Sequence, residues 1–270
     1  MKKRILAAFF AAAMLVSAMS GCKQVEETKP AEKTLDQRVQ VIANNINIWK
    51  FDKTAYEDQN VRYNYCITDL DGNGRMELIT SVEVRNAGYQ NFDTKIKYYE
   101  LNENNTALLT LECVSDSKSQ PDVCEIIDTV NKTDADSRYC YKDSSGRAYY
   151  VFSDSIFEEN EDGTKNEHVS KVAVSIHNGK AYEETLATYS KLRESGKDTV
   201  EQYTDGKGNI ITKADYDDIT STRFKGYTVS TVTFGWQDCA PENFDREFDP
   251  ASDVFIQKLA DSYEVFTKNK

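Results

Sequence analysis

Residues 61–84 read VRYNYCITDLDGNGRMELITSVEV, two strand-like runs separated by a short acidic turn. The runs 61–68 and 77–84 are rich in β-branched and aromatic residues, which predicts a β-strand in each. Strands that are adjacent in sequence and joined by a tight turn pair in the antiparallel sense. We therefore expect an antiparallel sheet.

Further strands are predicted along the chain, and turns join several of them. They span residues 95–101, 107–114, 139–142, 148–157, 171–177, 181–188 and 224–234. Asn178-Gly179, which lies between two of these runs, is a strong signal for a β-hairpin. The sheet should therefore be mainly antiparallel.

Two helices are predicted from their caps. Thr34 and Gln37 have the spacing of a capping box, and a helix over about 35–50 follows. Its apolar face comprises Leu35, Val39, Ile42, Ile46 and Trp49. Thr212, with Asp215 three residues later, is expected to cap a short helix that ends near residue 222.

A third, closing helix is expected to start from a cap at Asp253. Its predicted buried positions are Val254, Leu259, Tyr263 and Phe266. The order of elements predicts the α+β class, with an N-terminal helix, a mainly antiparallel β-sheet, a short helix and a C-terminal helix.

The first 33 residues have a different character. Lys2, Lys3 and Arg4 precede the apolar stretch 5–18, and small residues then lead to Cys22. This is the layout of a secretory signal peptide, and the apolar stretch is too short to span a bilayer comfortably. Residues 23–33 (KQVEETKPAEK) are polar, as in a flexible tether.

A cysteine at the cleavage point makes this leader resemble a bacterial lipoprotein signal. The resemblance implies a signal peptide at 1–21, a lipidated Cys22 with a tether over 22–33, and a single α+β extracytoplasmic domain at 34–270. It also implies anchoring to the extracytoplasmic face of the cell membrane by a lipid. Simple secretion without lipidation is the alternative.

Net charge and cysteine content limit the binding partners, the metal sites and the disulfides that the chain can have. The net charge is −12, and loss of the three basic residues of the leader would bring it to −15. Such a chain repels nucleic acid, so we expect no nucleic-acid partner.

Without a CxxC pair and with only two histidines, a Cys/His zinc site is not expected. Five cysteines follow Cys22 and could form up to two disulfides of unspecified pairing: Cys66, Cys113, Cys124, Cys140 and Cys239.

The turn 69–77 (DLDGNGRME) carries the one chemical motif. Asp69, Asp71 and Asn73 place oxygen atoms at positions 1, 3 and 5 of the loop, and Gly74 lies where the chain must turn sharply. Arg75 can offer its backbone carbonyl, and Glu77 supplies a further acid. Calcium favours six to eight oxygen ligands in flexible geometry. We therefore predict a Ca²⁺ site that stabilises the turn; an ordinary acidic turn is the alternative.

The loop resembles an EF-hand calcium loop through its first six positions and then departs from it. Thr80 replaces the glutamate of position 12, and the flanks are strand-like. The motif is closer to the strand-flanked D-x-D-x-N-G-x-x-E loops of FG-GAP and related extracellular proteins, in which the ninth-position acid completes the ligand shell.

The wider stretches 65–81 and 205–217 resemble uncharacterised lipoproteins of Gram-positive bacteria. That resemblance implies no catalytic residue. The leading hypothesis is thus a non-catalytic lipoprotein that binds an unidentified envelope or extracellular ligand. The alternative is a cell-surface hydrolase acting on glycans or peptides. Its candidate residues are Ser175, His177 and His168, or acid pairs such as Glu183-Glu184, although no G-x-S-x-G motif is present.

Overall fold

The computed structural model describes residues 33–50, 60–85, 92–115, 137–160, 162–193, 196–239 and 248–268. Residues 34–270 group into one compact unit. The predicted signal peptide, Cys22, most of the tether and Cys124 lie outside the described residues. Where the structure is described, no helix combines the length and the apolar character needed to cross a membrane.

Four helices and twelve strands make up the described part of the chain. The helices are α1 (Leu35–Asn44), α2 (Ile46–Trp49), α3 (Lys213–Arg223) and α4 (Asp253–Lys268). The first six strands are β1 (Asn60–Thr68), β2 (Glu77–Arg85), β3 (Phe92–Leu101), β4 (Leu108–Thr110), β5 (Glu112–Ser115) and β6 (Ser137–Lys142). The other six are β7 (Ala148–Glu159), β8 (Lys165–His177), β9 (Lys180–Leu192), β10 (Val200–Asp205), β11 (Thr228–Thr233) and β12 (Gln237–Cys239).

The strands form two sheets. The first sheet has the order β12-β1-β2-β3-β4, and the second has the order β10-β9-β8-β7-β6-β11. Strand β5 joins the second sheet as a parallel neighbour of β9. The other named strand pairs are antiparallel. The α+β class and the mainly antiparallel pairing are therefore confirmed.

Successive side chains of a strand point to opposite faces of its sheet, so the two faces of the first sheet pack into different cores. Helices α1, α2 and α4 cover one face of the first sheet through residues such as Ile42, Trp49 and Leu259. The opposite face packs on the second sheet through Ile79, Tyr98, Tyr150 and Phe152. Phe224, at the end of α3, packs with Ala173 and Leu186 in a third cluster. Burial of this apolar surface is the main force that holds the layers together.

Ser262 fixes α4 against the first sheet at a point where β1 extends beyond β12. Its hydroxyl accepts a hydrogen bond from the Ile67 N–H at 2.8 Å and donates one to the Gly235 carbonyl at 2.6 Å. A Cβ on Gly235 would lie 2.4 Å from the Ser262 carbonyl oxygen. Glycine at 235 therefore permits the close approach of the helix.

Both predicted capping boxes are present, at Thr34 with Gln37 and at Thr212 with Asp215. The first predicted helix, however, is interrupted at Asn45, which separates α1 from α2. The strand predicted over 224–234 begins only at Thr228, because Phe224 ends α3 and Gly226 turns the chain at a φ of 87°.

The prediction for the closing helix was wrong in two details. Asp253 is the first helical residue, and the Ser252 hydroxyl instead accepts the Phe255 N–H at 3.4 Å. Val254 is 68% exposed, and Phe255 is the buried residue of this turn. The buried positions Leu259 and Phe266 are as predicted, and Tyr263 is partly buried.

Candidate metal centre

The predicted metal loop joins β1 to β2 at one end of the first sheet. Thr68 and Glu77 are paired across the two strands, so residues 69–76 form the connection. Leu70 and Met76 anchor the loop, because Leu70 is buried between the two sheets and Met76 is buried under the helices. Gly74 has a φ of 82°, a conformation that glycine adopts without strain.

Three of the predicted ligands come together at this loop. Asp69, Asp71 and Glu77 each offer a carboxylate oxygen, and these oxygens lie within 4.8 Å of one another. Asp69 is only 9% exposed and Glu77 is 0% exposed. Carboxylates held this close repel one another, and a cation between them offsets that repulsion.

Glu77 is the most constrained member of the cluster. Its Oε2 atom accepts hydrogen bonds from the Leu70 N–H at 2.7 Å and from the Thr68 hydroxyl at 3.1 Å. Its Oε1 atom is also buried, yet within the described part of the chain it has no hydrogen-bond partner. Buried polar atoms are rarely left unsatisfied, because the lost solvation is costly.

Burial and the neighbouring charges of the loop shift the pKa of the Glu77 carboxyl. Burial raises the pKa of Glu77 well above its ordinary value, and the negative charges of Asp71 and Asp69 raise it further. The hydrogen bonds from Leu70 and Thr68 oppose this shift without cancelling it. A cation at this position would favour the charged form and lower the pKa again.

The other two predicted ligands take part in the loop in a different way. The Asn73 amide oxygen accepts the Arg75 N–H at 2.7 Å, and its amide nitrogen donates to Asp71 at 2.7 Å. The Arg75 side chain forms an ion pair with Glu100 at 2.6 Å. Metal coordination by the Asn73 oxygen and the Arg75 carbonyl remains a prediction.

Sequence reasoning missed Glu100, which lies on β3 directly opposite Glu77. Glu100 is 3% exposed and accepts hydrogen bonds from the Asn73 amide and the Arg75 guanidinium. Its charge is thereby compensated, which lets two glutamates face each other across neighbouring strands. Only the strand register, which the sequence did not supply, could have identified this pair.

Two other layers also hold the loop. Arg38, on α1, donates from Nη1 to the Gly74 carbonyl at 3.1 Å. Tyr150, on β7, donates its hydroxyl to the Leu70 carbonyl at 2.8 Å. The loop is therefore positioned by a helix on one side and by the second sheet on the other.

The alternative candidates for hydrolysis lie elsewhere, on the second sheet. Ser175 is only 2% exposed, and its hydroxyl is 3.5 Å from Nδ1 of His177. This distance is at the limit of a hydrogen bond, and the burial restricts access to the hydroxyl. His168 lies near the other end of the strand that carries His177 and contacts Ser190.

None of the cysteines that the structure describes belongs to the acidic cluster. Cys113 is disulfide-bonded, and Cys66, Cys140 and Cys239 are buried and reduced. Burial and the charge of Glu77 raise the pKa of the Cys66 thiol. The residues that the structure describes thus contain one disulfide-bonded cysteine, whereas five cysteines could form up to two disulfides.

Comparison of the chain with protein-family models, with curated proteins and with solved structures found no match. The assignment of a function therefore depends on the geometry and chemistry of the chain itself.

A Glu77→Gln variant should change how stability depends on pH in the presence of EDTA. Because the folded-state pKa of Glu77 is raised above 4.5, the folded protein binds this proton more tightly than the unfolded chain does. The free energy of unfolding should then fall as the pH rises from about 4.5 through the folded-state pKa. Glutamine does not titrate, so the variant should gain stability over the wild type as the pH rises.

Urea unfolding in EDTA, repeated from about pH 5 to about pH 8, measures this difference. Glu103→Gln, at an exposed loop position, is the matched control and should follow the wild-type profile. Parallel profiles for Glu77→Gln and the wild type would show that the Glu77 carboxyl is not perturbed.

Proposed function

We propose that the chain is a membrane-anchored extracytoplasmic lipoprotein whose folded part carries a calcium-binding loop, and that its role is binding at the cell envelope. The observation that carries the calcium assignment is the Oε1 atom of Glu77. It is buried, has no hydrogen-bond partner within the described residues, and belongs to a cluster with Asp69 and Asp71. A divalent cation would satisfy this oxygen and reduce the repulsion among the three acids.

The donor set favours calcium over other metals. The cluster offers only carboxylate oxygens, which suit hard cations and do not suit zinc or copper sites built from sulfur and nitrogen. Asp69, Asp71 and Glu77 would hold the ion, with the Asn73 side chain and the Arg75 carbonyl as the further expected ligands. Magnesium requires a stricter octahedral geometry and retains water, whereas calcium accepts an irregular set of oxygens such as this turn would offer.

The role of the ion would be structural. The loop is the connection between β1 and β2, and its two apolar anchors enter the cores on opposite faces of the first sheet. An ion that links Asp69 and Asp71 to the buried Glu77 would fix the path of the loop between those anchors. Calcium in the surrounding medium would then stabilise the folded protein by mass action.

The lipid anchor is supported by the leader alone. Three basic residues, the apolar stretch 5–18 and the small residues before Cys22 have the order of a lipoprotein signal. Two acyl chains on one cysteine give stable attachment to a membrane. A protein attached in this way would present residues 34–270 to ligands outside the cell.

The Ser175–His177 pair gives no support to the hydrolase alternative. Ser175 is buried, and the strands place it with His177 at a distance that does not activate a hydroxyl. We therefore retain the binding role as the proposal.

Calcium should raise the thermal stability of the purified full-length protein, and Asp71→Asn should abolish the rise. For a dissociation constant of about 10⁻⁴ to 10⁻³ M, 2 mM calcium would contribute roughly 0.6 to 1.8 kcal/mol, a shift of a few degrees in melting temperature. Equal concentrations of magnesium should produce a smaller shift. Thermal unfolding in calcium, in magnesium and in EDTA measures these effects.

Asp143→Asn is the matched control, because Asp143 also accepts backbone N–H groups in an exposed turn but lies outside the acidic cluster. It should keep the full calcium shift. If Asp71→Asn lowers the melting temperature equally in calcium and in EDTA, residues 69–77 form an ordinary turn and the calcium site is refuted.

Replacement of Cys22 by serine should release the protein from the membrane. The thiol is the atom to be lipidated, and a hydroxyl does not substitute for it in the signal that this leader resembles. Membrane fractionation of the native host, combined with metabolic labelling by an alkynyl fatty acid, measures both attachment and acylation. The control is Met19→Leu, a conservative apolar change three residues before Cys22, which should retain both. A labelled, membrane-bound Cys22→Ser protein would contradict the anchor.

A further inference from the structure

The outer face of the second sheet carries a cleft with a volume of about 340 Å³. Strands β5, β7, β8 and β9 form its walls together with the end of α3. Ligand pockets in proteins commonly start at about 300 Å³, so this cleft has room for one small molecule. The Tyr149 side chain faces the cleft. The side chain of the neighbouring Tyr150 points to the opposite face of the sheet, where its hydroxyl contacts the metal loop. The cleft and the loop are thus on opposite sides of β7.

An aromatic pair forms one wall of the cleft. The rings of His177 and Tyr182 are stacked, with centroids 4.0 Å apart and an angle of 10° between planes. Both residues are half-buried, so each ring is held in place and is also partly accessible. A flat, rigid wall of this kind offers apolar contact at a low entropic cost.

Polar groups surround the aromatic wall, and their charges are compensated. Arg223 donates to Glu184 through two parallel hydrogen bonds, Nε to Oε1 at 2.9 Å and Nη2 to Oε2 at 2.8 Å. Lys180, on the adjoining part of β9, pairs with Glu112 on β5 at 2.6 Å. Glu183 also contributes to the cleft wall, but its carboxylate points between the sheets, where Oε1 accepts the Tyr98 hydroxyl at 3.1 Å.

The histidine is held in its neutral form by the same surroundings. Burial lowers the pKa of His177, and the positive charge of Arg147 lowers it further. A neutral imidazole carries one hydrogen-bond donor and one acceptor. The Ser175 hydroxyl lies beside it, 3.5 Å from Nδ1, but is only 2% exposed, so the half-buried imidazole is the member of this pair that a ligand can reach.

We propose that this cleft binds the ring of a neutral sugar. A pyranose ring has an apolar C–H face that can pack on Tyr182 or Tyr149, and hydroxyl groups that both donate and accept hydrogen bonds. The Arg223–Glu184 pair offers remaining N–H groups and carboxylate lone pairs to such hydroxyls.

Other ligand classes fit the cleft less well. An anionic ligand would have to displace Glu184 from Arg223. A purely apolar ligand would remove water from the remaining N–H groups and carboxylate lone pairs of the Arg223–Glu184 pair without replacing its hydrogen bonds, which is costly. A sugar satisfies these groups without separating the ion pair. Sugar binding here does not require the calcium loop, so the two proposals can fail separately.

Saturation-transfer difference NMR on the purified full-length protein tests the proposal. The probes are glucose, galactose, mannose, N-acetylglucosamine and cellobiose, with glucuronate and glucose 6-phosphate as charged counterparts. At least one neutral sugar should receive saturation, and the charged sugars should receive less. Tyr182→Ala should weaken the binding at least about tenfold, since it removes the aromatic wall.

The Glu184→Gln variant distinguishes a role in ligand binding from a purely structural role, because it should reverse the preference between neutral and charged sugars. It is nearly isosteric and leaves Arg223 without its carboxylate, so binding of glucuronate should increase while binding of the neutral sugar falls. Tyr139→Ala, which removes an exposed tyrosine of the same sheet outside the cleft, should bind as the wild type does. If Tyr182→Ala loses its far-UV circular dichroism spectrum, Glu184→Gln decides the test alone.

Failure of every neutral sugar to receive saturation would overturn the proposal. Stronger transfer to the charged sugars by the wild type, or neutral-sugar binding that survives both cleft variants, would overturn it as well.

Discussion

The carboxylate of Glu77 is completely buried where β2 begins, and the surroundings of the loop are organised around that constraint. Strand pairing places Thr68 and Glu100 on either side of it, one as a hydrogen-bond donor and the other as a second acid. Glu100 is tolerated because Arg75 and Asn73, both from the loop, bond to it. Glu77 has only half of its hydrogen-bonding capacity satisfied, and the loop brings two more acids toward it. Above the raised pKa of Glu77, where its carboxyl is charged, this arrangement lowers stability unless a cation is bound. The calcium proposal therefore follows from the burial of one side chain.

The same loop is a point of contact for three layers of the fold. Arg38 reaches it from the helices, and Tyr150 reaches it from the second sheet. Arg38 also lies 5.5 Å from the centre of the Tyr263 ring on α4, so α1, α4 and the loop share one contact region. An ion that fixes the loop would therefore stabilise the packing of the helices and of both sheets, and not the turn alone. The cleft for which we propose sugar binding lies on the far side of the second sheet and has its own polar network. The two proposals thus assign stabilisation and ligand binding to opposite sides of β7.

Local signals in the sequence were sufficient for many elements and for the composition of the acidic cluster. The β1–β2 hairpin, the Asn178-Gly179 turn and two capping boxes depend on neighbouring residues, which a sequence displays directly. The division into two sheets depends on contacts between distant residues. The predicted strand 107–114, for example, is divided at Leu111, where the chain passes from β3 in one sheet to β9 in the other. The sequence predicts a buried Val254, because apolar residues at both 254 and 255 do not decide which of the two faces the core. The position of Glu100 opposite Glu77 and the cleft cannot be predicted from the sequence, because both depend on which residues of neighbouring strands are paired.

A crystal structure of the protein grown with calcium, with anomalous diffraction data to locate the ion, would test the metal site most directly. We expect an anomalous peak between the carboxylates of Asp69, Asp71 and Glu77, about 2.3 to 2.6 Å from the ligand oxygens, which include Oε1 of Glu77. A refined structure that shows no such peak, and in which a protein group or water satisfies that oxygen, would refute the calcium site.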